Sequence, residues 1–334
     1  MKYRLWVAAM LLASTVVHAD KSFVVDPSAA ACHSLTPAMI GGPMPPNGIL
    51  TLRWLGTTNF ELAYGGQVIL LDTYYDRGPR NRPIGFASAD VKRVDAILIG
   101  HAHFDHMSDA ATVATRTGAP VVGAPTVTET AISIGLPARQ AVTVRGGEVL
   151  KYKGFTVEAI LARHSTLDPA VLAAFRNAIT VAAGAPTPEG ATAEAAIRKR
   201  GTFDPKVITE GTIAYLFTFD SGFRLIFRNS AGPITEAERA VMQRIGGKTD
   251  VAIVGYMGQY VAKRQIAATL PIIELYNPRL YLPAHHDESA GTFVDIGLEP
   301  LFMAIRDRMP GTNVISPLYR EPVCLDVQKT ASRS

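Results

Sequence analysis

The run His101-Ala102-His103-Phe104-Asp105-His106 sets three imidazoles and one carboxylate within six residues of a chain that has eight histidines in all. Imidazole and carboxylate together suit Zn2+, Fe or Mn2+. In extended backbone His101 and His103 point the same way, because side chains alternate with a period of two. Asp105 and His106 follow where the chain turns into a helix, so they can address a second point nearby. The apolar run Ala96-Ile97-Leu98-Ile99 just ahead reads as a buried strand, and Gly100 opens the loop after it. Such strand-end loops are where open sheets place their chemistry.

The elements that must hold this run can be read on both sides of it. Leu52–Ala63, a Gly65-Gly66 turn and Val68-Ile69-Leu70-Leu71-Asp72 read as a hairpin and a strand ending in Asp72. Ser108–Thr117 reads as a helix and Val121-Val122 as the next strand. Phe155–Leu161 is strand-like and leads to His164. Leu280-Tyr281-Leu282-Pro283-Ala284 leads to His285.

The His101–His106 run resembles the HxHxDH signature of the metallo-β-lactamase superfamily, and the flanking elements match that family's order over about residues 50–310. The wording is most similar to the branch of ascorbate-6-phosphate lactonase and the N-acylphosphatidylethanolamine phospholipase D enzymes. The resemblance implies an α/β fold, a four-layered αββα sandwich. It implies that His101, His103 and His164 hold one metal, and that Asp105, His106 and His285 hold a second, with Asp105 also the candidate catalytic carboxylate. His286 is an alternative to His285. Asp72 would not bind metal; it would orient ligands by hydrogen bonds from behind, or merely cap its strand. The cofactor implied is Zn2+, as one or two ions, with Mn2+ or Fe as alternatives. Three neutral imidazoles leave zinc an open position for water, whose pKa then falls toward about 7. A second ion about 3.5–4 Å away can share that hydroxide.

One position departs from the family pattern. A bridging Asp is expected in a Gly-Asp-Thr/Ser-Gly stretch, and here the chain reads Arg228-Asn229-Ser230-Ala231-Gly232. Ser230 stands where the Asp should be, so the site lacks one carboxylate clamp. The expectation is two metal positions, the second the weaker. Asp220 does not substitute, because Asp220-Ser221-Gly222 reads as a hairpin turn. Tyr256, after the strand Val251–Gly255, is a candidate oxyanion donor or plain packing.

The remaining chain bounds the function. An apolar content of 48% with 19% charged residues describes a globular protein. The net charge of +4 is scattered, with no basic block, which argues against nucleic-acid binding. Lys2 and Arg4, the apolar run Leu5–Val17 and the small-residue end Val17-His18-Ala19 read as a signal peptide, residues 1–19, with a membrane anchor as the alternative. The run is short for a bilayer span. Residues 20–48 read as a loop-rich arm, and 49–334 as the hydrolase domain. The mature chain is thus expected to be periplasmic or secreted, with no membrane span. Cys32 and Cys324 are either a disulfide joining arm to tail or two free thiols.

Between His164 and the next strand lies a long insertion, residues 165–210. Asp168–Ala183 reads as a helix, Gly184–Gly190 as a linker and Thr192–Arg200 as a second helix. Starting beside a ligand, it is expected to roof the site. Thr212–Phe219, Phe223–Phe227 and Arg279–Leu282 read as further strands, and Thr235–Ile245 and Val261–Tyr276 as helices. The expected activity is hydrolysis of an ester, lactone, amide or phosphodiester in a small-molecule substrate. Two alternatives stand beside it. A true β-lactamase fits the export signal, but the stretch at His164 lacks the Thr-Pro-Gly-His-Thr-Pro-Gly wording common there. The other is an exported metal-binding protein without catalysis.

Overall fold

The computed structural model of the chain describes residues 20–35, 40–166, 184–256, 262–289, 292–293 and 297–330, with 173, 177, 180 and 181 between. The signal peptide expected over 1–19 and most of the helix expected over Asp168–Ala183 lie outside the described residues.

Two seven-stranded sheets dominate. The first contains β1 (Ile49–Trp54), β2 (Phe60–Tyr64), β3 (Gln67–Leu71), β4 (Ala96–Leu98), β5 (Val121–Gly123) and β6 (Ala141–Thr143). The second contains β7 (Val149–Tyr152), β8 (Phe155–Ala162), β9 (Thr212–Phe219), β10 (Arg224–Arg228), β11 (Thr249–Gly255) and β12 (Pro278–Ala284). After a short ribbon of β13 (Glu288–Ser289) and β14 (Thr292–Phe293), β15 (Asn313–Val314) joins the second sheet. The last strand, β16 (Pro322–Asp326), returns to pair antiparallel with β1. Both sheets are built alike: antiparallel hairpin strands feed a run of parallel strands, β3 to β6 in one and β10, β11, β12 and β15 in the other.

Alternation along the strands sorts the apolar residues into layers. Leu50, Leu52, Ile69, Leu71 and Leu98 face Val157, Tyr215, Phe217, Leu225, Ile253 and Leu282 in a core between the sheets. The opposite face of the first sheet, with Leu70, Ile97 and Val121, is covered by the helices Ala110–Thr117 and Pro125–Ser133. The opposite face of the second, with Leu216, Ile226 and Val254, is covered by Met242, Ile273 and Ile305 from the helices Glu236–Arg244, Ala262–Tyr276 and Glu299–Arg308. The result is the expected αββα sandwich. Tyr215 crosses between the sheets and donates to the Ile99 carbonyl at 2.9 Å. Ile213 N–H donates to the Gly100 carbonyl at 2.8 Å. The two sheets are thereby tied together at the loop that carries the histidine run.

One sequence expectation needs correction, and one open alternative closes. The linker over Gly184–Gly190 is shorter than expected, because a helix already begins at Pro188 and runs to Arg198. Thr187 caps it, its hydroxyl accepting from Gly190 N–H at 3.1 Å, and Pro188 occupies the first turn. The open alternative at the cysteines resolves to a bond: Cys32 and Cys324 are joined, with Cα atoms 5.9 Å apart.

Candidate metal centre

Each proposed ligand sits just past the C-terminal end of a strand or on the turn that follows. His101 and His103 come after β4, Asp105 and His106 lie on the short helix Phe104–Met107, His164 follows β8 and His285 follows β12. The fold brings them together as two triads, His101–His103–His164 and Asp105–His106–His285, with the donor atoms in each triad within 4.8 Å of one another. His101 Nε2 lies 3.1 Å from His103 Nδ1. Asp105 Oδ2 lies 3.2 Å from His285 Nε2 and 3.5 Å from His106 Nε2. Two donors held at about 2.0–2.1 Å by one tetrahedral ion stand roughly 3.4 Å apart, so the chain's donor spacing fits. The triads adjoin, since the His101 and His106 ring centroids are 4.0 Å apart.

On His101, His106 and His164 the other ring nitrogen is occupied from behind, which fixes the tautomer and aims the free nitrogen inward. His101 Nδ1 meets Asn229 Oδ1 at 3.0 Å. His164 Nδ1 meets the Ser165 carbonyl at 2.5 Å. His106 Nδ1 meets Asp72 Oδ2 at 2.8 Å and Thr58 Oγ1 at 2.7 Å. Asp72 is the hub of this layer. Its Oδ2 also accepts from Asn229 Nδ2 at 2.8 Å, and its Oδ1 accepts from Gly100 N–H at 2.8 Å. A Cβ on Gly100 would lie 2.2 Å from the Asn229 amide, so glycine is what lets that amide pack against the loop.

Electrostatics agree with a neutral-imidazole donor set. Burial, reinforced by the neighbouring imidazoles, holds His101 well below the usual histidine range. Burial lowers His103 to about 3, with His164 adding to the effect. Burial lowers His164 to about 4 against the opposing pull of its Ser165 hydrogen bond. For Asp105 burial pushes upward, but His106, His285 and His103 together outweigh it and hold the carboxyl ionised below its usual range.

His285 and Asp72 both have left-handed backbone, at φ 62° and 55°. Such conformations cost non-glycine residues on the order of 1 kcal/mol or more and persist where surroundings over-determine them. At His285 the surroundings are visible. Its N–H donates to the Thr57 carbonyl at 2.7 Å. Two residues on, buried Asp287 accepts from Thr57 N–H at 2.8 Å, from Arg77 at 2.9 Å and from the Tyr319 hydroxyl at 2.5 Å. His286, the alternative ligand, instead stacks on Trp54 with centroids 4.3 Å apart.

Ser230 lies behind the loop that follows His164. Its hydroxyl accepts from Ser165 N–H at 3.0 Å, bracing the loop just after His164. The side chain that this strand end sends among the imidazoles belongs to Asn229. Tyr256 packs in the helix-covered cluster of the second sheet. Asn229, Thr58 and Asp287 were not singled out from sequence. Their only signal was position: each follows or faces a strand end next to a candidate ligand.

The chain matches the model of the beta-lactamase superfamily domain over residues 67–286. A UPF0173 metal-dependent hydrolase of Cupriavidus necator is 26% identical over 273 residues, 78% of this chain and 83% of the relative. Another from Herpetosiphon aurantiacus is 33% identical over 117 residues, 35% of this chain and 48% of that one. Among solved structures, Igni18, a metallo hydrolase from Ignicoccus hospitalis, superposes with a TM-score of 0.58 at 16% identity, covering 83% of this chain and 98% of that chain. CmlA, a diiron β-hydroxylase from Streptomyces venezuelae, gives 0.51 at 16% identity over 85% of this chain and 55% of its own. The histidine signature, the paired sheets and the match over residues 67–286 agree: the chain belongs to the metallo-β-lactamase superfamily.

Proposed function

We propose that the chain is an exported metal-dependent hydrolase that cleaves an ester, lactone, amide or phosphodiester in a small-molecule substrate, with zinc the expected metal. The observation that carries this reading is the pair of adjoining donor triads at the strand ends. His101, His103 and His164 would hold one ion, and Asp105, His106 and His285 the second. Ions so held supply a water of lowered pKa and positive charge for a developing oxyanion. The protein's own contribution is alignment. Asn229 and the Ser165 carbonyl fix the His101 and His164 rings, while Asp72 and Thr58 fix His106. Among the described residues no carboxylate bridges the two triads, which supports a weaker second position. The relatives named as metal-dependent hydrolases support the reaction class. The diiron enzyme on a similar fold shows that fold alone does not choose the metal, so the preference for zinc rests on the imidazole-rich donor set. Export rests on the N-terminal run and on the Cys32–Cys324 bond, which suits an oxidising compartment.

Metal content per chain, measured alongside turnover of lactones, aryl esters, β-lactams and phosphodiesters, tests this reading. His103→Ala should lower both metal content and turnover by orders of magnitude. Full metal and full activity in that variant would sink the assignment. Turnover confined to β-lactams would move the chain to the lactamase reading.

A further inference from the structure

Phe203 leaves 60% of its surface open to solvent, yet it lies against one of the candidate ligands. Its ring centroid is 4.9 Å from that of His103, at a shallow angle of 34°, and 6.1 Å from that of Phe104. Lone exposed apolar side chains are ordinary on protein surfaces. The backbone just before this one is held in position. Thr202 N–H donates to the Ala102 carbonyl at 2.8 Å, which straps the segment along the histidine run. Gly201 approaches so closely that a Cβ there would lie 2.4 Å from Phe104 N. One residue earlier, Arg200 pairs with buried Asp109 at 2.8 Å. Behind the ring, Arg198 lies over the Phe104 face at 4.7 Å. The end of the insertion is therefore anchored, and it presents an aromatic side chain beside the loop of candidate ligands.

We propose that Phe203 is a specificity-determining residue that receives an aromatic substituent of the substrate next to the bond being cleaved. The inference rests on the hydrolase reading above and narrows its substrate class. A ring that binds there covers apolar surface now in water and gains an offset or edge-on aromatic contact. A methyl group in that place covers much less of that surface and makes no ring contact. Among the described residues, Phe203 is an exposed phenyl ring set directly against a candidate ligand. Discrimination between aryl and small alkyl substrates would then reside in Phe203.

The test is binding of phenylphosphonate and methylphosphonate to metal-loaded protein by calorimetry, with metal content measured for each variant. Wild type should prefer the phenyl compound by about tenfold, roughly 1.4 kcal/mol. Phe203→Ala should bring the two affinities together, leaving methylphosphonate binding and metal content within about twofold of wild type. Phe203→Trp should keep the preference. With phenyl and methyl acetates the same variants should differ in KM for the phenyl ester rather than in kcat. Equal affinities in wild type, binding of neither phosphonate, or a preference that survives Phe203→Ala overturns the inference. Lack of turnover on every substrate class by metal-loaded protein would instead overturn the hydrolase reading, and the phosphonate comparison would still stand.

Discussion

At the scale of single residues, the candidate ligands are aligned by groups that stand behind them. Asn229 accepts from one imidazole and donates to Asp72, so one amide links the backing of both triads. Replacing it by Ala removes the acceptor for His101 Nδ1–H and leaves that ring free to turn or to change tautomer. Losing such an outer contact typically lowers metal affinity by about 10–100-fold. Asn229→Ala should therefore weaken binding in a zinc titration of the metal-free protein while the protein still unfolds cooperatively. An unchanged titration would mean that the amide only fills space. The six candidate ligand positions, which the fold gathers into two triads, stand out in the sequence because imidazole at fixed spacing is rare and carries its own chemistry. Asn229 was not legible. An asparagine after a strand looks like any loop residue, and what gives it a role is the approach to Gly100, 129 positions earlier in the chain.

At the scale of elements, the insertion after His164 is fastened at specific points. Arg80 grips buried Glu194 with two hydrogen bonds of 2.7 Å and reaches the Gly184 carbonyl at 2.8 Å. These contacts hold the helix Pro188–Arg198 over the loop that follows β3. Arg80→Ala would leave the Glu194 carboxylate without that partner, at a local cost of about 1–3 kcal/mol. Faster amide exchange should appear over residues 188–200 and not in the sheets, with metal content unchanged. Unaltered exchange there would show that other contacts hold the helix. The start of this helix could have been read from Thr187-Pro188-Glu189, a capping residue, a first-turn proline and an acidic residue. Proline and glycine dominate the stretch and mask that signal. Central strands such as Thr212–Phe219 were legible to the residue, since buried strands are long apolar runs. The edge strands β6 and β7 were not, because they are half exposed and carry mixed residues.

At the scale of the whole molecule, the two ends of the chain meet. β16 pairs along β1 from Ile49↔Asp326 to Arg53↔Pro322, and the arm before β1 is stitched to it by the bridge of Val24 with Leu325. No pattern in Pro322–Asp326 announces a partner some 270 residues away, so this closure was invisible to periodicity. The two cysteines were its one sequence trace. Their bond closes a loop 292 residues apart in sequence, in a small cluster with Leu35 that Val25 and Ile49 flank. A crosslink over so long a loop restricts the unfolded chain most, and in the entropic picture it contributes on the order of 2–5 kcal/mol. Among the described residues the hydrogen bonds that hold the candidate ligands run through Asn229, Asp72, Thr58 and Thr57 and not through either cysteine, so the site's geometry should survive loss of the bond even as the fold weakens. The double substitution Cys32→Ser with Cys324→Ser should then lower the urea midpoint clearly while zinc stoichiometry holds. Wild type treated with reductant should move to the same midpoint, and protein purified from an oxidising compartment should show almost no free thiol when denatured without reductant. Two thiols per chain in that titration would remove the tether, and with it one of the two supports for export.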